Sequence, residues 1–526
     1  MKMKMATPIT KKSAFAELGL KGTIEELKGE IRELYLADDV PWIIGYSGGK
    51  DSTAVLQLAW LALAELPVEQ RRKTVHVIST DTMVENPIVA AWVHRSLAAM
   101  RDSAGNDGMP IQPRLLQPKL EESFWVNLIG KGYPAPRPQF RWCTERLKIK
   151  PSNRFIRQVV TDNGEAILLI GARKAESSAR AHVLKRNQKH RVRDRLSPSA
   201  TLPGCSIYTV IEDWSNDDVW IFLMQLKNPW GLTNKDLLGM YQGASADGEC
   251  PLVVDTTTPS CGSSRFGCWV CTLVDKDKSM TAMVQNDEEK EWMRPLLELR
   301  NALDFRNMVG PDGENSDHHL RDFRRMSGNV QMQSGDGPGQ KDKIIPGPYT
   351  QESRAQWLRK LLEAQAWIRK HGPAGVRSIE LITLAEMQEI RRIWVVEKHE
   401  MEDGLPRIYA EATGEPYPGP RLDDNLVLGE SEMQLLREVC GEDRLQFDLA
   451  RELLSVERQQ RVQVRRAGLF DKLEKSISRH YYDSREDAEG MARRHAKARD
   501  AASLGQRSLA FNVEGESAAV AEQPLI

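Results

Sequence analysis

The 526-residue chain contains no run of about eighteen apolar residues, so no membrane-spanning helix is expected. It also has no charge bias. Its 73 Lys and Arg stand against 74 Asp and Glu, so the overall balance neither demands nor excludes a nucleic-acid partner, and local charge must decide. The N-terminal stretch MKMKMATPITKKSAF is basic but lacks an apolar core, which argues against a secretory signal and for a cytoplasmic protein. Internal repeats are absent. Cysteine is scarce at seven residues, yet Cys250, Cys261, Cys268 and Cys271 crowd together; Cys205 and Cys440 stand apart and read as structural. In a reducing compartment such a cluster reads as a metal site rather than as disulfides. The length exceeds one compact core and predicts two or three domains.

The most informative stretch is Trp42-Ile-Ile-Gly-Tyr-Ser-Gly-Gly-Lys-Asp-Ser52, an apolar run followed by two glycines and an amphipathic segment. It reads as strand, tight turn and helix. Gly48 and Gly49 can take positive φ and expose successive N–H groups, and the helix start adds its own unpaired donors and positive dipole end. Lys50 adds a full charge, and Ser47 and Ser52 add hydroxyls, so the turn suits a di- or triphosphate. It is not a Walker A loop: only three residues separate Gly45 from Gly49, and Asp51 rather than Ser or Thr follows the lysine.

Around this stretch strands and helices alternate. A helix is expected over Thr23–Ala37, strands over Trp42–Tyr46, Thr74–Ser79, Pro113–Leu116 and Glu165–Gly171, and a helix from Asp51 to Leu66. Thr209–Trp220 reads as a last strand and a helix capped by Ser215. The alternation predicts an α/β fold with an open parallel sheet, and ligands then bind at the carboxyl ends of the strands. Asp81, just past the second strand, is placed either to contact ribose or adenine or to cap the next helix. Gly171 and Arg173 close another strand and suggest a phosphate-facing helix start. From Arg173 to Arg195 nine Lys and Arg, among them Arg180, Lys185, Arg186, Lys189, Arg191 and Arg193, face two acids. That density suits a polyanion, or else a solvated loop.

Cys143 lies between Arg141 and Arg146, Lys148 and Lys150, a setting expected to favour thiolate and make it reactive or a ligand. Cys268-Trp-Val-Cys271 is a chelating pair, and Cys250 and Cys261 are near enough in sequence to complete four thiolates. Tetrahedral zinc and a 4Fe–4S cluster both fit, and Cys143 could replace one of the four.

Taken together these motifs resemble known families. Ser47-Gly-Gly-Lys-Asp-Ser52 is similar to the PP-loop of ATP pyrophosphatases, which split ATP between its α and β phosphates. That loop, Asp81-Thr82 with Glu85 and Pro87, Cys143-Thr144 with Leu147, Lys148 and Pro151, Gly171 and Arg173 with Glu176, Ser177 and Arg180, and Trp214 with Asp218 and Trp220 occur in order. The series resembles the phosphoadenosine phosphosulfate (PAPS) reductase family over roughly residues 30–280, and within it the DndC-type sulfurtransferases of DNA phosphorothioation. The resemblance implies an adenine nucleotide α-hydrolase-like sheet that binds ATP with Mg2+, and a 4Fe–4S cluster rather than zinc. It further implies sulfur from a cysteine desulfurase, other proteins of a phosphorothioation complex as partners, and DNA rather than RNA as acceptor. It assigns nucleotide contact to Ser47, Gly48, Gly49, Lys50, Ser52, Asp81, Gly171 and Arg173, and chemistry to Lys50, Asp51 and Cys143. It assigns metal binding to Cys250, Cys261, Cys268 and Cys271. Two departures count against sulfonucleotide reduction: no E-C-G-[IL]-H motif follows, and Trp142-Cys143 stands where adenylyl-sulfate reductases carry a Cys-Cys pair. A tRNA-thiolating enzyme and a nucleotide-sensing DNA-binding assembly factor are the competing readings.

Residues 1–39 are expected to form a helical N-terminal segment, 40–240 the nucleotide-binding domain and 241–305 the cysteine segment. Residues 306–349 read as a Gly/Pro-rich insertion or linker, 350–500 as a helical C-terminal region with Trp357, Leu361, Leu362, Ala366 and Ile368 in its core, and 501–526 as a disordered tail.

Overall fold

The computed structural model describes residues 13–189, 195–244, 266–311, 313–333, 343–461 and 468–495. These divide into two compact units. Described residues within Met1–Phe124, Pro136–Asp304 and Ala364–Leu381 form the first, and those within Trp125–Ala135, Phe305–Glu363 and Ile382–Ile526 the second.

The first unit is built on a six-stranded sheet of order β3-β2-β1-β4-β6-β5. Its strands are β1 (Trp42–Gly45), β2 (Val75–Thr80), β3 (Ile111–Leu116), β4 (Ala166–Leu169), β5 (Leu196–Pro198) and β6 (Cys205–Tyr208). Trp42, Ile43 and Ile44 are fully buried, as a central strand covered on both faces requires. All pairings are parallel except that of β5 with β6, which is antiparallel. The sheet is therefore mixed at one edge, a departure from the all-parallel expectation; β5 is three residues long and carries no periodic signal. The last strand also lies earlier than expected, at β6, and Thr209–Trp214 is the loop leading to the Ser215 cap.

Helices α1 (Gly19–Leu36), α2 (Lys50–Ala64), α3 (Pro87–Asn106), α4 (Lys150–Asn163), α5 (Ser178–Gln188), α6 (Asn216–Gln225), α7 (Asn234–Gly243), α8 (Lys278–Asn286) and α9 (Arg294–Leu303) complete this unit. α2 buries eleven of its residues, which explains a composition apolar on nearly every face. α1 lays Ile24, Ile31 and Tyr35 into the same core, and Lys28 at its edge pairs with Glu25 and Glu65. The strand order reverses between β1 and β4. The turn after β1 thus stands at the switch point where a crevice opens at the carboxyl ends of the strands.

The second unit contains the hairpin β7 (Gln331–Gln333) and β8 (Lys343–Ile345), and the helices α11 (Leu384–Arg392), α12 (Leu405–Thr413), α13 (Glu430–Cys440), α14 (Arg444–Arg461) and α15 (Leu469–Arg479); α10 (Gln351–His371) contributes to both units. Trp357, Leu361, Leu362 and Ile368 are buried, as the amphipathic spacing predicts, whereas Ala366 is only half-buried. The stretch expected to be an exposed linker is packed where it is described. Arg321 donates to Gly347 O at 2.7 Å, and a Cβ on Gly347 would lie 1.6 Å from Arg324 O. That glycine permits a close backbone approach; it does not mark a loose connection.

Candidate functional site

β1 ends at Gly45, and the chain turns at once into α2. Gly48 has φ 72°, and a Cβ there would meet Val93 Cγ2 at 2.6 Å, so the position requires glycine on both counts. Trp92 Nε1 donates to Gly48 O at 3.1 Å and anchors the turn. Ser47 N donates to Ser52 Oγ at 3.1 Å, and Ser52 Oγ in turn donates to Gly49 O at 3.0 Å, closing the loop on itself. The first N–H groups of α2 point out of this turn. One of them, Lys50 N, donates to the Tyr241 hydroxyl at 3.3 Å, and Lys50 Nζ sits 5.6 Å from the centre of the same ring. Burial pushes the Tyr241 phenol up to about 12, so it stays neutral.

Asp51 lies between two cations: Arg173 Nε reaches Oδ1 at 2.7 Å and Lys50 Nζ reaches Oδ2 at 3.2 Å. With both oxygens paired, Asp51 fits the orientation of these cations better than the ligation of magnesium. Arg173 is 3% exposed and also donates to Trp214 O at 3.2 Å. Gly171 lies beneath the loop, where an added Cβ would meet the backbone C and O of Asp51 at 2.9 Å. Its position is explained by close packing against the start of α2.

Several of these groups line a cleft of about 1020 Å³. Ser47, Gly49, Lys50, Asp51, Ser52, Asp81, Arg173 and Arg180 are on its wall. Gly48, Gly171 and Cys143 are not among the lining residues. Asp81 folds its carboxylate into its own turn, accepting from Met83 N at 2.8 Å and from Gln117 at 3.0 Å. It does not cap α3; Asn86 does, accepting from Ile88 N at 3.0 Å.

The second wall of the cleft carries Glu85 and Lys148, whose charges meet at 3.3 Å. Behind them Cys268 Sγ approaches Thr82 Oγ1 at 3.4 Å and Glu85 Oε1 at 3.8 Å. Glu85 forms an isolated bridge with Cys268, reinforced by Trp269 N to Val84 O at 3.0 Å. Burial pushes the Cys268 thiol up to about 12; the Glu85 carboxylate adds to this and Lys148 opposes it. The Glu85 carboxylate, 3.3 Å away, in turn keeps Lys148 protonated.

Cys271 N closes the turn onto Cys268 O at 3.0 Å. Cys143 lies close enough to Cys271 for their charges to repel, and burial pushes its thiol up. This corrects the expected thiolate. The basic neighbours of Cys143 in sequence are occupied elsewhere: Lys148 pairs with Glu85, Lys150 with Glu122 at 2.7 Å, and Arg141 donates to Pro138 O at 3.2 Å. Arg300, fully buried, donates to Cys271 O at 3.0 Å and to Asp275 O at 3.2 Å, and so fixes the turn that carries both thiols.

Cys250 and Cys261 lie outside the described residues, as do Arg191 and Arg193. Among the described residues no three His, Cys, Asp or Glu are grouped to hold a metal ion. Cys268 and Cys271 nonetheless offer two sulfurs from one turn, the donor chemistry that zinc and iron–sulfur clusters take. Lys185, Arg186 and Lys189 are exposed on and just after α5, off the cleft wall. Arg180, at the cleft, pairs with Glu176. Tyr241 had no signal in the sequence: it is 191 residues from Lys50, on a helix that looks purely structural.

Residues 41–273 match the family described as the phosphoadenosine phosphosulfate reductase domain. An uncharacterized protein of Methanocaldococcus jannaschii is 29% identical over 247 residues, 47% of this chain and 39% of that protein. The chain thus spans about two fifths of the length of the curated relative it matches. Two solved structures are also similar. One is a phosphoadenylyl-sulfate reductase from Candida auris in complex with phosphate, 12% identical, covering 41% of this chain and 89% of that one at a TM-score of 0.25. The other is the U34-tRNA thiolase NcsA from Methanococcus maripaludis with its 4Fe–4S cluster, 13% identical, covering 53% and 79% at a TM-score of 0.26. The span similar to the phosphoadenosine phosphosulfate reductase domain, residues 41–273, contains all six strands of the sheet and the residues that line its cleft.

Proposed function

We propose that the protein is an ATP-dependent sulfurtransferase that activates a DNA backbone phosphate by adenylation and exchanges one of its non-bridging oxygens for sulfur. One observation carries this reading: the phosphate-binding turn and the Glu85–Lys148 pair that fronts Cys268 open onto the same cleft. ATP would lie with its β and γ phosphates on the N–H groups of Gly49 and the α2 start, with Lys50 over them. An acceptor oxygen attacking the α phosphorus expels pyrophosphate, and the donors at Ser47–Ser52 stabilise the charge that builds on that leaving group. Tyr241 holds Lys50 N–H and its side chain in place, and Arg173 holds Asp51.

The activated phosphorus then carries AMP as a leaving group. A persulfide on one cysteine attacks it and AMP departs. A second thiolate attacks the cysteine-bound sulfur, leaving a protein disulfide and the thiophosphate. Cys143 and Cys271, within electrostatic reach of each other, are suited to this pair of roles. Lys148 is placed to neutralise the incoming phosphate or a transient thiolate on Cys268. Where Cys250, Cys261, Cys268 and Cys271 instead hold an iron–sulfur cluster, Cys143 alone would carry the persulfide, and the cluster would supply the two electrons that release the thiophosphate from it. Sulfur would reach the site from a cysteine desulfurase, and the exposed Lys185, Arg186 and Lys189 would hold DNA.

The test is pyrophosphate release from ATP by anaerobically purified protein, with DNA, tRNA or a sulfonucleotide as acceptor. DNA should stimulate release and become sulfur-labelled. Lys50→Ala should lose release while leaving the absorption spectrum of the purified protein unchanged. Retained hydrolysis in Lys50→Ala, or stimulation by tRNA alone, would refute the proposal in its two separate parts.

A further inference from the structure

The second unit has a cleft of its own, about 800 Å³, to which the function above gives no role. Eleven lysines and arginines line it against seven aspartates and glutamates. Six of those carboxylates already have cationic partners. Asp322 and Asp448 hold Arg324 at 2.9 and 2.8 Å, Glu352 meets Arg444 at 3.4 Å, Glu452 meets Arg479 at 3.0 Å, Glu397 meets Arg392 at 2.6 Å, and Glu400 pairs with Arg354. The remaining one, Glu442, is exposed.

What this pairing leaves over is positive. The ammonium of Lys398 has no hydrogen bond or ion pair among the described residues, although Lys398 is only partly open to solvent. Burial and the adjacent Arg354 guanidinium hold it down to about 8, outweighing the nearby Glu400, Asp322 and Glu397 carboxylates, none of which is in contact with it. Lys472 and Lys475, exposed on α15 at the rim, are likewise without a carboxylate. Arg451 is paired with Asp448 at 3.5 Å and Gln351 at 2.7 Å, but its buried Nε has no hydrogen-bond partner. Sheltered cations are ordinarily paired, so a cleft with an unpaired, half-buried ammonium at its floor and two further unpaired lysines at its rim is arranged for an anion from outside.

We propose that this cleft is a second phosphate-binding site, with Lys398 at its floor and Lys472 and Lys475 at its rim, that takes a ligand bearing several phosphate groups. Its size is that of a nucleotide-scale ligand. Several separated lysines with arginine forks between them suit an anion whose charge is spread over successive phosphates better than a single carboxylate. A free polyphosphate and a nucleic-acid strand present the same chemistry here.

The experiment uses the full-length Lys50→Ala protein, so that the turn after β1 contributes least. Sodium tripolyphosphate is titrated calorimetrically, and a short fluorescein-labelled DNA strand by anisotropy. At least one should bind, and adding Lys398→Met should weaken it by about tenfold or more. Lys472→Ala with Lys475→Ala, both exposed and safe for folding, should weaken it by about threefold and flatten its salt dependence. Tripolyphosphate binding identifies a free polyphosphate, and binding of the strand alone a phosphodiester backbone. Absence of binding by both probes, or binding unchanged by both sets of substitutions, overturns the proposal. If Lys398→Met fails to fold, the rim variant decides alone.

Discussion

Gly171→Ala is the substitution whose effect follows most directly from the geometry of the turn. The added methyl would sit 2.9 Å from the backbone C and O of Asp51 and 3.2 Å from Ser52 N. All three are main-chain atoms of a helix start whose next residues are buried, so no flexible side chain can give way. Restoring ordinary contact at roughly 3.4 Å displaces the first turn of α2 by about 0.5 Å. Overpacking of this kind costs about 1–3 kcal/mol. A shift of half an ångström in the groups that face the leaving pyrophosphate should slow its release about tenfold, given that about 1 Å can cost a hundredfold. Gly105→Ala is the control: that glycine lies in α3 with nothing within 4 Å of its added Cβ, and alanine there should be neutral or stabilising by up to about 1 kcal/mol. Thermal unfolding and coupled pyrophosphate release are measured on both. Equal melting temperatures and equal rates for Gly171→Ala and wild type would refute the close-packing explanation of this glycine.

Tyr241→Phe removes the acceptor of Lys50 N–H and keeps the ring; a loss of about 1 kcal/mol in stability is expected. Tyr241→Ala also removes the contacts with Trp220 and Phe266 and should cost about 3–5 kcal/mol, read by chemical denaturation. Arg300→Ala leaves Asp304 charged and fully buried and should destabilise by about 3–5 kcal/mol. Arg300→Met with Asp304→Leu should recover stability but not the Cys271 turn, so Cys271 should alkylate faster; an unchanged rate would remove Arg300 from that role. In the second unit, burial holds His399 down to about 4 from an ordinary 6.5. The unfolded chain therefore takes up a proton first on acidification. Stability falls as pH drops from 6.5 to about 4, by about 3 kcal/mol in all. Glu452 is held at about 2, since hydrogen bonds from His480 and Ser476 outweigh burial, and adds a further loss from 4.5 downward. Urea unfolding across this range should be flatter in His399→Gln; parallel curves would contradict the assignment.

The turn after β1 was legible because its chemistry is local. Glycines, hydroxyls and a lysine within six residues need only a strand before them and a helix after them, and both are there. The switch-point location follows from the alternation of strands and helices. Side-chain partnership was not legible. Arg173 reads as a phosphate ligand from its place after a strand, yet it is buried against Asp51, 122 residues away in sequence. Cys143 reads as a thiolate from its basic neighbours, yet those side chains diverge to Glu85, Glu122 and Pro138 O and leave the sulfur buried. Lys148 and Glu85 carry no shared signal because their pairing depends on where β2 ends and α4 begins. The same holds for β5, which is too short for a period, and for Gly347, whose role is visible only once Arg324 lies against it.

The central claim is that ATP at Ser47–Ser52 is cut between its α and β phosphates. Incubation of the wild-type protein with ATP labelled separately at the α and γ positions, in the presence of DNA and a sulfur donor, tests it most directly. The α label should appear in AMP, the γ label in pyrophosphate, and the two in equal amounts. Labelled ADP and inorganic phosphate as the primary products would contradict it.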